Sequence, residues 1–169
     1  MSGIVSIELL LDVATENAVR EDWSRLAGAG LSSMGARTSP SHRPHITVLV
    51  RSALAEVRFT DAIARLPFEV TLGDPVVFRH GPRAVLARSV VASQELLAFH
   101  RAIHAAVPEG PDFPHTRPGD WVPHVTLARR LQVESIPQAL ALLGPRQSGQ
   151  ATGLRRWDSA SATVTMLTS

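Results

Sequence analysis

A short phrase occurs twice in this chain: Pro44-His45-Ile46-Thr47-Val48, and again 79 positions later as Pro123-His124-Val125-Thr126-Leu127. The residues around each His-x-Thr are apolar and largely β-branched, which favours a strand. On a strand alternate side chains share a face. His45 and Thr47, like His124 and Thr126, then build a small polar wall, while Ile46 and Val48, or Val125 and Leu127, point into a core. The surroundings repeat as well. Each phrase ends in arginine, Arg51 in one copy and Arg129 with Arg130 in the other, and a predicted helix follows. For a chain that writes the same half-buried strand twice, two similar lobes facing each other are the expected assembly.

Composition supports this. With 169 residues, 44% apolar and 19% charged, the chain suffices for one compact domain over 1–169 with a substantial core. Residues 4–11 are apolar but broken by Glu8, have no basic lead-in and are far too short for a membrane span. They read as a buried first strand, and a cytoplasmic protein without membrane association is expected. The absence of Cys excludes disulfides, Cys-ligated zinc and a thiolate nucleophile. All 17 basic residues are Arg. That excludes a lysine Schiff base, a Walker-type P-loop and a lysyl-adenylate ligase, so any ligase activity would be ATP-independent. The isoelectric point of about 10.8 follows mostly from the lack of Lys and Tyr. With a net charge of only +2, it says little about nucleic acid.

Periodicity predicts strands over 4–11, 45–50, 68–72, 75–78 and 84–91, a strand from Trp121 through the second phrase, and terminal strands near 153–157 and 162–167. Helices are predicted over 16–29, 53–66 with Ser52 as N-cap, 93–107 and 133–143. Residues 79–83 form a turn and 108–120 a loop rich in Pro and Gly. Helices and strands do not alternate regularly enough for a parallel wound sheet. The expected fold class is α+β and bilobal: two mainly antiparallel sheets with outer helices, related by pseudo-twofold symmetry about a central cleft.

Such a pair of histidines suits acid/base chemistry on a phosphodiester. Opening or closing a cyclic phosphate is an in-line displacement, in which one group takes a proton and another gives one. Imidazole can do either near neutrality, and a positioned general acid or base contributes roughly 10² to 10⁴ in rate. A pseudo-twofold axis would set His45 and His124 on opposite sides of a phosphate. Thr47 and Thr126 could donate hydroxyl hydrogen bonds to its non-bridging oxygens. Arg129 or Arg130, and after them Arg43 or Arg51, could add a charged clamp.

These residues resemble the two-histidine (2H) phosphoesterase superfamily, and within it the bacterial group called 2'-5' RNA ligase or RNA 2',3'-cyclic phosphodiesterase. The likeness spans nearly the whole chain and is anchored at Pro44 to Val48 and Pro123 to Arg129. It implies a bilobal fold, metal-free opening of 2',3'-cyclic phosphates to 2'-phosphates without a cofactor, and in some members the reverse joining of RNA ends. Carried over by motif position, His45 and His124 form the catalytic pair, Thr47 and Thr126 bind phosphate, and Arg129 matches a phosphate-contacting arginine. Members often carry an aromatic soon after the first motif. Leu49-Val50-Arg51-Ser52 has none, so an RNA end and a small nucleotide both stand as substrates. A monomer with no obligate protein partner is expected.

The remaining candidates have plainer readings. His42 reads as a loop residue facing solvent, although it could orient His45. His100 and His104 have a metal-ligand spacing on a predicted helix, but no His-Glu-x-x-His signature accompanies them, and a structural pair is expected. His80 and His115 sit in turns. Trp121 and Phe113 could stack on a base or cap the core. Two other function classes stand beside the phosphoesterase: a cleft that only binds RNA ends or nucleotides, and a metal-dependent hydrolase built on His100 and His104.

Overall fold

A computed structural model describes residues 3–169. In chain order it contains β1 (Val5–Leu11), α1 (Val13–Gly28), β2 (His45–Arg51), α2 (Thr60–Ile63), β3 (Phe68–His80), β4 (Arg83–Val90), α3 (Gln94–Ala106), β5 (His124–Gln132), α4 (Ile136–Leu142), β6 (Gln147–Asp158) and β7 (Thr163–Met166). The strands form one antiparallel sheet in the order β2-β1-β6-β3-β4-β5, with β7 on β6. The fold is α+β, as expected. The two sheets are two wings of a single sheet, joined where Phe68–Leu72 of β3 pairs with Gln147–Ala151 of β6.

The chain repeats β-α-β-α-β twice, β1 to β3 and then β4 to β6. In space the third strand of each repeat crosses to the other wing: β6 completes the wing of β2 and β1, and β3 that of β5 and β4. The strand order reads alike from both ends, with a motif strand outermost on each side. The sheet curls so that these outer strands, β2 and β5, approach each other. The inward residues Ile46, Val48, Val125 and Leu127 are fully buried. Each such side chain contributes about 1.5–3 kcal/mol when removed from water.

Several predicted elements differ in extent for identifiable reasons. α1 begins at Val13, ahead of the expected residue 16, because the Asp12 carboxylate accepts the Thr15 N–H at 2.9 Å and caps it. The same carboxylate receives the Gln150 N–H, pinning the helix start to β6. A Cβ at Gly149 would lie 1.7 Å from Thr15 Oγ1, so glycine is needed for this close approach. The helix expected over 53–66 shrinks to Thr60–Ile63. Arg156 of β6 donates to the carbonyls of Leu54 and Ala55, which a helix there would have used itself. The strands expected at 68–72 and 75–78 are one strand, its register shifted between Leu72 and Pro75. Pro75 stands at this irregularity, the kind of position where a strand tolerates a residue without an N–H. The second motif strand begins at His124 rather than Trp121. No described helix is long and apolar enough to cross a membrane.

Candidate active site

Both motif histidines open their strands and are held in the same way. His45 Nδ1–H donates to the Arg43 carbonyl at 2.8 Å, and His124 Nδ1–H to the Val122 carbonyl at 2.7 Å. In each case the acceptor lies two residues back, across a proline that keeps the preceding backbone extended. The bond fixes the tautomer, so that Nε2 of each ring is left for a ligand. Burial holds both imidazoles below the usual histidine value, offset at His45 by Glu8 and at His124 by the Val122 carbonyl. The two are close enough that charge on His45 depresses the protonation of His124.

Thr47 and Thr126 lie on the same faces as the histidines and are half-buried. Neither hydroxyl has a hydrogen-bond partner among the described residues, whereas their backbone carbonyls do. Trp121 Nε1–H donates to the Thr47 carbonyl at 3.0 Å, and Trp23 Nε1–H to the Thr126 carbonyl at 3.1 Å. Each indole thus seals the open edge of one motif strand and stacks on a second histidine. Trp121 lies 3.9 Å from His100, and Trp23 4.9 Å from His42.

The arginines divide. Arg129 is exposed, and its charge acts on both His45 and His124. Arg130 is exposed alongside, its backbone N–H bonded to Ser32 Oγ. Arg43 is engaged by Glu16 through two bonds of 3.0 and 2.8 Å, so what it brings to the site is its carbonyl. Arg51 is 6% exposed and binds Asp112 and the Pro108 carbonyl, tethering the 108–120 loop rather than facing a ligand.

The other histidines are accounted for. His42 is half-buried, not a solvent-facing loop residue, and its Nε2–H donates to the Met34 carbonyl. His100 donates to the Thr116 carbonyl and His104 to that of Val48, so their spacing serves to fasten the loop and β2 to α3. Among the described residues no group of three or more His, Cys, Asp or Glu is placed to hold a metal ion. His80 is exposed at the end of β3. His115 is exposed, and its charge reaches His124. Phe113 is 37% exposed, with its ring 6.3 Å from that of His115.

Two residues at the site escaped the sequence reading. Phe78 of β3 packs its ring 5.0 Å from that of His124. Glu8 of β1 is buried, with Oε1 3.4 Å from His45 Nε2 and Oε2 2.7 Å from Arg155 Nε. The one sequence signal was an acidic residue interrupting an apolar strand.

A sequence profile of the 2'-5' RNA ligase superfamily matches residues 15–168. Solved structures with a similar fold include TT0787 of Thermus thermophilus, at 17% identity and a TM-score of 0.56 over 98% of this chain and 95% of that one. E. coli LigT complexed with 3'-AMP is similar at 15% identity and a TM-score of 0.51, over 98% and 94% of the two chains. No curated protein matches the chain in sequence.

Proposed function

The chain belongs to the 2'-5' RNA ligase superfamily, and from that premise we propose that it is a phosphoesterase opening 2',3'-cyclic phosphates of RNA ends or nucleotides to 2'-phosphates. His45 and His124 are its acid/base pair. The observation that carries this reading is the matched fastening of the two imidazoles: Nδ1 tied to the carbonyl two residues back, Nε2 left for a ligand, and each ring on an outer strand of a sheet that curls its ends together.

The reaction needs no cofactor or metal. One imidazole takes a proton from water as it attacks phosphorus, the P–O3' bond breaks in line, and the other imidazole protonates the departing oxygen. Thr47 and Thr126 direct their hydroxyls at the non-bridging oxygens, where charge sits in the transition state. Arg129, with Arg130 beside it, draws the anion in and balances its charge. The 3'-AMP bound by E. coli LigT is a ligand of the size this reading requires. With an RNA 5'-hydroxyl in place of water as the attacking group, the same groups would open the cyclic phosphate to a 2'-5' linkage and release the 3'-hydroxyl, joining two ends.

The test is turnover of nucleoside 2',3'-cyclic monophosphates and of a cyclic-phosphate-ended oligoribonucleotide, with chelator present. His45→Ala and His124→Ala should each lower kcat by about 10²–10⁴ with the melting temperature kept. Undiminished turnover in both variants would refute the assignment.

A further inference from the structure

The two motifs share a backbone but not their surroundings. On β1 the residue paired with Thr47 is Glu8, and on β4 the residue paired with Thr126 is Ala87. A carboxylate thus stands against one imidazole and a methyl group holds the matching place at the other. Glu8 is 4% exposed and held from two further sides, by Arg155 Nε at 2.7 Å and by the Ser6 hydroxyl at 2.9 Å. Its approach to His45 Nε2, 3.4 Å, is within ion-pair range but is not a hydrogen bond. The carboxylate therefore favours a charged imidazole without occupying the direction in which Nε2–H would point.

The charges around each ring sharpen the contrast. His45 faces Glu8 from β1, Arg155 from β6, Arg129 and His124 from β5, and His42 from the preceding loop. His124 faces His45 from β2, Arg129 from its own strand and His115 from the loop, all basic. Among the described residues, His45 has an anion beside it and His124 has none.

Resting on the function proposed above, we propose that Glu8 is a positioning residue that makes the pair directional, with His45 the proton donor and His124 the acceptor. His124 Nε2 takes a proton from water as its oxygen bonds to phosphorus. The P–O3' bond breaks, and its electron pair takes the proton from His45 Nε2–H. The products are a 2'-phosphate and a free 3'-hydroxyl. The imidazoles end with their protonation exchanged, and solvent resets them.

Histidine side-chain NMR titration of the folded protein reads this independently of activity. His45 should titrate above His124 in the wild type. Glu8→Gln should lower the His45 midpoint by about one pH unit or more and leave His124 in place, while Glu8→Asp should restore part of the loss. In turnover, Glu8→Gln should pull down the alkaline limb of the kcat/KM profile, where the acid loses its proton, and leave the acidic limb unmoved. His45 titrating at or below His124, or a Glu8→Gln effect on the acidic limb, would overturn the assignment. If Glu8→Gln does not fold, the wild-type order of titration decides. A folded wild type that turns over no cyclic phosphate would defeat the function, and the titration order would still decide the part played by Glu8.

Discussion

Each wing of the sheet contains one deeply buried ion pair, and the two are put to different ends. In the wing of the second motif Arg88 of β4 meets Asp22 of α1 at 2.9 Å and also donates to the Gly73 and Gly144 carbonyls. In the wing of the first motif Arg155 meets Glu8 at 2.7 Å, and the carboxylate also faces His45. All four side chains are 5% exposed. The first pair locks sheet to helix, whereas the second sits under a candidate catalytic group. The two motif strands repeat the placement of His and Thr. What differs, and what could give the pair a direction, is the residue one strand further in.

The comparison is most severely tested by breaking each pair. Arg88→Met and Arg155→Met both strand a buried carboxylate and should each cost about 3–5 kcal/mol in chemical denaturation. They should part company in the His45 titration, which Arg155→Met raises, because Glu8 loses its competing cation, and Arg88→Met leaves alone. Equal shifts in both would erase the distinction between the wings.

The paired Trp-His stacks offer a second contrast, read through pH. Burial pushes His100 down to about 4 and moves His42 in the same direction. A histidine depressed on folding binds its proton more readily when unfolded, so its stabilisation is complete above about pH 6.5 and drains away as the pH falls towards 4. For His100 the loss over that window should approach about 3 kcal/mol, and His100→Asn should flatten it. A wild-type stability curve flat across the window would contradict this. The donors of the same stacks come next: Trp121→Phe and Trp23→Phe each leave a motif threonine carbonyl unpaired, at about 1–2 kcal/mol by thermal unfolding. Similar costs would mark the two seals as equivalent, and a large disparity would show that one strand edge is held by something else. The smallest effect is at the helix caps. Asp12→Ala should cost about 1 kcal/mol, and Ser93→Ala, whose hydroxyl accepts only the Leu96 N–H, somewhat less, with turnover unchanged in both.

Much of this was legible in the chain. Strand periodicity located both motif strands and most of the other elements, because period-two burial is a local pattern. The residues that shape the environment were not local. Glu8 reads as a defect in an apolar run until Arg155, 147 residues away, is placed beside it. Residues 53–59 carry helix-forming side chains, yet Arg156 takes their carbonyls from a strand 101 or 102 residues on. Arg43 looks like a free cation next to a candidate catalytic histidine until Glu16, 27 residues earlier, binds it. In each case a long-range partner outweighed a sound short-range preference.

The crossing of the third strands bears on how the molecule comes to exist. β1 leaves the ribosome well ahead of its partner β6, since Arg155 lies 147 residues beyond Glu8, and the two must still pair across that length. Until residue 155 arrives, Glu8 lacks its cation and the floor beneath His45 is missing. A nascent chain that has both His-x-Thr phrases but not β6 would carry the letters of the candidate site without its floor, so that site can be completed only once β6 has been made.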